Sequence, residues 1–238
     1  KKMLIKENKS IERLVTLTTP TDIKNVGFKL DENYMIALTP DNAAKAFECI
    51  KRNKRYEKSS YEVYYNKLNK SLRDYSREEL ENILWRVARS NSTRSSNENI
   101  SVMADWVFKN LTQFLKRLEN GDATLVDELA AIKGLSRKEK SLSSKICSYL
   151  CELEFKQSKF AVNDTGVRRI LPYYFKYYGI SAENKALEKY SYSEIMALID
   201  KIAEKLPEKM NYTEIDRIIW YCYRNDPVRS EIAVAMSR

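Results

Sequence analysis

Two ionisable residues, Lys145 and Asp164, stand where side chains readily take part in chemistry. Lys145 lies in the first turn of a predicted apolar helix that begins near Ser141, and Asp164 follows 19 residues later at the start of another predicted helix. The helix macrodipole and the free N–H groups of that start favour the ionised form of Asp164. On position alone, helix capping by Asp164 and phosphate binding by Lys145 are alternatives to catalysis.

The elements that position these residues are predicted to be helices, because apolar residues recur at three- and four-residue intervals along most of the chain. The helix starts and stops agree: Asp41 follows Pro40, Ser76 and Glu79 form a capping-box pattern, and Gly179 follows a helix end. The predicted stripes cover 41–54, 61–72, 80–88, 103–118, 124–132, 141–154, 165–178, 191–205 and 212–224.

The first 38 residues have a different pattern. Residues 14–19 are rich in β-branched side chains, and residues 34–38 form a short apolar run, so a small β pair is expected near the N-terminus. The fold class is nevertheless predicted to be all-α. The aromatic residues Trp85 and Trp106 and the cluster at 173–178 are interpreted as core.

Composition excludes several kinds of site. The 238 residues include no His, which excludes Ser-His-Asp hydrolases, Cys-His proteases and His-ligated zinc or haem. Lys and Arg number 42 against 33 Asp and Glu, and the net charge of +9 favours a polyanionic partner such as nucleic acid. A basic but otherwise ordinary surface is the alternative.

The four cysteines form no CxxC pair, so no iron–sulfur cluster, zinc site or other cofactor is expected. Cys147 and Cys151 are four residues apart and are expected to pack as small apolar groups. Reduced cysteines, the lack of a signal peptide and the lack of a long apolar run lead us to expect a cytoplasmic protein that does not span a membrane.

The segment 129–171 contains two informative runs, 141–145 (SLSSK), which ends at Lys145, and 161–169 (AVNDTGVRR), which contains Asp164. With these runs the segment resembles the helix-hairpin-helix-GPD superfamily of DNA glycosylases. The second run is similar to the context of that family's catalytic Asp, and the first is similar to the Lys-bearing segment of the branch that removes oxidised guanine. In that branch the Lys precedes the Asp by the same interval. The resemblance implies that Asp164 stabilises the positive charge on the deoxyribose as the base leaves. It also implies that Lys145 attacks C1′ to form a Schiff base.

The resemblance extends over residues 76–224. The run 83–91 (ILWRVARSN) is similar to the helix and loop that insert into DNA, so Asn91 is implied to fill the gap left by the flipped base. Arg89 and Arg94 are implied to hold the unpaired partner, with two solvated arginines as the alternative. Asp216 and Trp220 resemble the base-pocket pair of archaeal-type oxoguanine glycosylases, with a plain core Trp as the alternative.

The sequence departs from the family at the hairpin, which lacks the Pro-Gly-x-Gly turn that holds a DNA phosphate. We expect the helix start to replace it. Arg168, which follows Asp164, is expected to bind a phosphate, with pairing to nearby carboxylates as the alternative. A register on Gly134 would put Lys138 in the place of the nucleophile, 26 residues before Asp164, which is too far to match the family. The residues expected to replace the turn are Lys140, Ser141, Ser143 and Ser144.

The sequence therefore predicts an all-α, monomeric DNA glycosylase of two helical lobes, one formed by 72–170 and the other by 1–71 with 171–238. Its partner would be double-stranded DNA of a bacterial-type nucleoid, and its first expected substrate is oxidised guanine. Three alternatives stay open: excision of a hypermodified cytosine from phage DNA as a defence, a non-catalytic DNA-binding hairpin module, and a protein-interaction domain.

Overall fold

The computed structural model describes residues 27–29, 36–52, 70–90, 93–182 and 186–224. These ranges contain nine α-helices and two single-turn 3₁₀ helices, at Leu72–Asp74 and Leu187–Lys189, and the all-α prediction is confirmed. The α-helices are α1 (Pro40–Arg52), α2 (Arg77–Ser90), α3 (Asn97–Lys109), α4 (Leu111–Asn120), α5 (Thr124–Ala130), α6 (Lys140–Phe155), α7 (Thr165–Tyr177), α8 (Tyr192–Ala203) and α9 (Tyr212–Arg224).

Local signals in the sequence set several of these helix ends. Ser76 and Glu79 form the predicted capping box at the start of α2, where each side chain accepts a hydrogen bond from the other residue's backbone amide. Gly179 has a φ of 61° just after α7, and the next amide, that of Ile180, reaches back to the carbonyl of Phe175. This arrangement ends α7 as a Schellman motif.

The stripe predicted over 103–118 is divided between two helices. The chain turns at Asn110, whose side chain donates to the carbonyl of Trp106 at 2.7 Å and so competes with continuation of the helix. Both resulting helices keep their apolar positions on the core, which explains why the apolar pattern alone runs through the break.

Of the predicted β pair, the described residues show one backbone bridge, at Ile36, beside which the amide of Ala37 donates to the carbonyl of Lys29. Residues 14–19, 34 and 35 lie outside the described residues, as does most of the stripe 61–72. No strand is found in the described ranges.

The helices pack in two groups. In the middle of the chain, α2 pairs with α3, and α6 packs against α5, α2 and α4. Towards the chain ends, α9 packs against both α1 and α7, and α7 also contacts α8. The pairing of α1 with α9 brings the described parts of the two chain ends together. The predicted boundaries between two lobes stay a prediction.

Burial of the thiols agrees with the sequence. Cys147 and Cys151 are fully buried in α6, as predicted, and Cys222 is buried in α9. Burial raises the pKa of all three thiols, in the case of Cys222 to about 12. Each helix within the described ranges is too short or too polar to cross a bilayer.

Candidate active site

Asp164 divides its two carboxylate oxygens between two partners. It is the N-cap residue of α7, where Oδ1 accepts the amide of Val167 at 3.0 Å. Oδ2 lies 2.8 Å from Nζ of Lys145. Asp164 therefore caps its helix with one oxygen and contacts Lys145 with the other, so the capping alternative and the pairing with the second candidate residue are both present.

Lys145 is a buried cation. It lies in the second turn of α6 rather than in the predicted first turn, since α6 begins at Lys140, and the residue is only 4% exposed. An ammonium group removed from water needs a counter-charge, and Asp164 supplies it. The Asp164 side chain keeps 20% of its surface exposed, so the pair is open to solvent on the Asp side.

The charges around Asp164 favour its ionised form. Burial opposes ionisation, but the ammonium group of Lys145 and the hydrogen bonds from Lys145 and Val167 outweigh it and lower the pKa of Asp164. A carboxylate held ionised next to a solvent-open edge can stabilise a positive charge that develops there.

A third ionisable group, Asp216 of α9, belongs to the same electrostatic cluster. Burial and the negative charge of Asp164 raise its pKa to about 7, while Lys145 and Arg217 act in the opposite direction. Near neutral pH, Asp216 is therefore divided between its protonated and ionised forms. The structure brings together the two predicted catalytic residues and one residue of the predicted base pocket.

The loop that carries Asp164 is fixed by neutral hydrogen bonds. The hydroxyl of Ser144 accepts the amide of Asn163 at 2.9 Å and donates to the carbonyl of Ser141 at 3.0 Å. The hydroxyl of Tyr192 donates to the carbonyl of Ala161 at 2.6 Å. These bonds hold the last residues before α7 against α6 and α8, so Asp164 has little freedom to move away from Lys145.

Gly166 is a positioning residue that the sequence did not identify. A Cβ atom at this position would lie 2.9 Å from Cδ1 of Tyr223 and 3.2 Å from Oδ1 of Asp164. Only glycine lets the start of α7 approach α9 this closely. The contact joins residues 57 positions apart, and no local pattern in the sequence signals it.

Burial contradicts two predicted DNA contacts at the start of α6. Ser143 and Ser144 are both fully buried, so their hydroxyls cannot reach a phosphate on the surface. The hydroxyl of Ser144 instead holds the Asp164 loop. Lys140 donates to the carbonyls of Glu188 and Tyr190 at 2.8 and 3.2 Å, which anchors the helix start, and Ser141 is half-buried.

Arg168 faces the Asp164 loop. Its Nη1 donates to the carbonyl oxygen and to Oδ1 of Asn163 at 2.8 and 3.1 Å, and only 14% of its side chain is exposed. Its nearest contact with Glu188 is 3.7 Å. This placement supports the loop before Asp164, while the predicted phosphate contact of Arg168 stays a prediction.

The connection between α5 and α6 is held by a buried acid that the sequence did not identify. Glu139 is 4% exposed and accepts from Oγ of Ser95, Nδ2 of Asn99 and Nε of Arg137 at 2.7, 2.8 and 3.0 Å. Oδ1 of Asn99 in turn accepts the amide of Ser136. The connection is therefore fastened to the first turn of α3 and to the residues just before it.

The polar loop after α2 is described only in part. Asn91 lies outside the described residues. Arg89 and Arg94 are exposed, and Arg89 donates to Oδ1 of Asn97 at 2.8 Å.

Trp85 is 43% exposed, so its interpretation as a core residue is wrong: it lies on the solvent face of α2 rather than on the face packed against α3.

Trp220 is half-buried, one helical turn after Asp216 in α9. It is thus neither a fully buried core residue nor a fully exposed one.

The other aromatic residues interpreted as core are buried to different degrees. Trp106 is partly buried against the core, as are Tyr173, Tyr177 and Tyr178, whereas Tyr174 and Phe175 are buried as predicted.

Comparison with known proteins gives one partial similarity. A family model described as an N-terminal domain matches residues 42–154, slightly less than half of the chain. The matched region includes Lys145 and ends ten residues before Asp164. No curated protein matches the sequence, and no solved structure matches the fold.

Proposed function

We propose that this protein is a DNA glycosylase that takes a damaged base out of the duplex and excises it. The observation that carries the proposal is the 2.8 Å contact between buried Lys145 and partly exposed Asp164 at a helix start. Excision needs an ionised carboxylate, and the subsequent strand cleavage needs a lysine whose ammonium group can lose a proton and become the attacking amine.

Asp164 acts in the first step. As the C1′–N bond breaks, its electron pair leaves with the base and positive charge develops on the deoxyribose. The ionised carboxylate, with its pKa lowered and one edge open, stabilises that charge. The hydrogen bond from Val167 keeps Oδ1 in place, so the carboxylate does not need to reorient during the reaction.

Lys145 acts in the second step. Its ammonium group loses a proton to the departing base, and the free amine forms a bond from Nζ to C1′. The sugar ring then opens to give a protonated Schiff base, which permits elimination of the 3′ phosphate.

Oxidised guanine is the base that we propose first. Asp216 and Trp220 lie one turn apart on α9, and Asp216 belongs to the same charge cluster as Lys145 and Asp164. A carboxyl group at this place accepts hydrogen bonds from the N–H groups of a purine, and the indole of Trp220 offers a face for stacking.

Double-stranded DNA is the proposed partner, bound by a protein monomer in the nucleoid. The net charge of +9 and the exposed side chains of Arg89, Arg94 and Arg137 favour a phosphate backbone. Affinity for DNA is expected to fall steeply with salt because counterions are released on binding. A protein-interaction domain with incidental charge would lack this dependence.

The test is borohydride trapping on a duplex that contains 8-oxoguanine, with a panel of other lesion-bearing and glucosylated phage DNAs. The wild type is expected to give a covalent adduct, and Lys145→Ala is expected to abolish it. Lys138→Ala is the matched control, because Lys138 is an exposed lysine of the preceding connection and occupies the alternative register.

The outcomes separate the alternatives. If the adduct still forms in Lys145→Ala, another residue is the nucleophile. If it is lost in Lys138→Ala, the register that makes Lys138 the nucleophile is favoured. Released bases identified by mass spectrometry define the substrate. DNA binding without release of any base from the whole panel refutes the glycosylase proposal and favours a non-catalytic DNA-binding module.

A further inference from the structure

Trp85 is one of two large hydrophobic side chains that the described residues leave exposed. It lies on the solvent face of α2, and the composition of that face changes along the helix. Glu78 and Asn82 come first, and Trp85, Arg86 and Arg89 follow towards the polar loop. The aromatic and cationic side chains are therefore at the end of α2 that leads into this loop.

Arg89 holds one face of the Trp85 ring. Its guanidinium carbon lies 5.4 Å from the ring centroid, within the range of a cation–π contact. Nη2 of the same guanidinium donates to Oδ1 of Asn97 at 2.8 Å, so α3 helps to fix the pair. An exposed indole held in this way offers its other face to a flat partner.

The surroundings of the pair are basic. Arg94 is exposed in the loop, and Nη2 of Arg137 donates to the carbonyl of Arg94 at 2.7 Å. This bond brings the connection before α6, with its exposed Lys133 and Lys138, next to the loop. A flat aromatic face inside a cationic surface is complementary to a polyanion that carries planar rings, which is a nucleic acid strand.

We propose that Trp85 and Arg89 form a stacking platform for an unpaired nucleobase of the bound DNA. The indole stacks on the base, and Arg89 neutralises a neighbouring phosphate while it holds the ring. The inference rests on the proposed function only in taking DNA as the partner, since the platform lies on α2 and makes no use of Lys145 or Asp164.

The experiment compares two fluorescein-labelled duplexes of one sequence, fully paired or with a single unpaired adenine. Trp85→Ala is expected to weaken binding of the bulged duplex about tenfold, the effect of losing one stacked base, and binding of the paired duplex less than twofold. Arg89→Ala is expected to weaken both and to lower the salt slope by about 1, as for one lost phosphate contact.

Phe108→Ala is the matched control. Phe108 is equally exposed at 44%, but it lies at the other end of the α2–α3 pair, because Arg77 at the start of α2 contacts Asp105 near the end of α3. Phe108→Ala is expected to change the affinity for the bulged duplex and for the paired duplex less than twofold. Trp85→Phe, which keeps an aromatic face, is expected to restore most of the binding. Thermal melts of all variants verify folding.

Two results would overturn the inference. In the first, Trp85→Ala binds the bulged duplex as tightly as the wild type, or loses as much affinity for the paired duplex. In the second, Phe108→Ala has the same effect as Trp85→Ala. Either result leaves the proposed excision intact, provided that the wild type still releases a base. Conversely, a base-selective loss in Trp85→Ala without base release supports the platform and refutes the excision.

Discussion

The starts of α6 and α7 both carry an acidic residue, and the two acids are used differently. Glu139 before α6 is 4% exposed, accepts from three donors and makes no side-chain hydrogen bond to its own helix. Asp164 before α7 caps its helix, contacts one ammonium group and keeps 20% of its side chain exposed. A carboxylate surrounded by donors stabilises structure, whereas one with an open edge can still meet a ligand's charge.

The largest expected effect is on excision activity, which should depend on Asp164 and not on Glu139. Asp164→Asn is expected to lower single-turnover excision about 10³-fold, because one preorganised charge is lost from the transition state. Asn is as good a helix cap as Asp, so α7 should still form. Excision is measured on the base that the panel identifies.

Glu139→Gln is the control for this variant and is expected to keep excision within about tenfold of the wild type, since the residue lies away from the reacting atoms. Because Asp164→Asn leaves the ammonium of Lys145 without its counter-charge, the double variant Lys145→Met, Asp164→Asn shows by its melt whether the site folds without charge. Equal losses of excision activity in Asp164→Asn and Glu139→Gln would contradict the distinction between the two acids.

The second expected effect is on stability. Glu139→Ala leaves Asn99 and Ser95 without their buried acceptor and is expected to lower the free energy of unfolding by about 3 kcal/mol. Ser95→Ala removes one donor only and is expected to cost about 1 kcal/mol. Urea denaturation gives both values, and a Glu139→Ala protein of wild-type stability would contradict a structural use of this acid.

The third prediction concerns how the start of α7 is held. Gly166→Ala forces Tyr223 to move and is expected to cost about 1–3 kcal/mol, the usual range for overpacking. Excision should fall as well, because the added methyl group also approaches Asp164. The double variant Gly166→Ala, Tyr223→Ala should recover part of the activity, and its failure to do so would assign the loss to the Asp164 contact.

The smallest expected effect depends on pH. The pKa of Asp216 in the folded protein, about 7, lies above its ordinary value of 3.8, so folding favours the protonated form. Its contribution to stability is complete below about pH 4 and is lost as the pH rises through 7. The groups that act on it are Asp164, Lys145, Glu152 and Arg217.

Asp216→Asn is expected to flatten the stability profile between pH 5 and pH 8, as measured by urea denaturation at both values. Asp164 has the opposite pH dependence. Because its pKa is lowered in the folded protein, it contributes stability at neutral pH, and this contribution is lost only in acid, as the pH falls below the ordinary pKa of an Asp side chain. An unchanged stability profile in Asp216→Asn would show that Asp216 does not interact electrostatically with Asp164 and Lys145.

The sequence predicted what local patterns encode. The capping box at Ser76, the end of α7 at Gly179 and the helix start at Asp164 all rest on neighbouring residues, and each is confirmed. Lys145 and Asp164 were paired through the resemblance to a known family rather than through a local pattern, and the two side chains are in contact.

The rest depends on contacts that are distant along the chain. Glu139 meets Ser95 and Asn99 across 44 and 40 residues, and the burial of Ser143 follows from helices that pack around α6. The residue type of Trp85 predicts a core position, whereas its place on the solvent face of α2 decides its exposure. Tertiary packing determines these features, and hydrophobic spacing within one segment does not encode them.

The hydrogen bond from the amide of Asn163 to the hydroxyl of Ser144 joins the residues immediately before Asp164 and Lys145. It therefore spans the same 19-residue interval as the ion pair, but without any charge. Protonation of Asp164 in acid weakens the charged contact, whereas it does not act directly on this neutral one. A protein taken from such conditions to neutral buffer should regain its reactive geometry at once, with no refolding step.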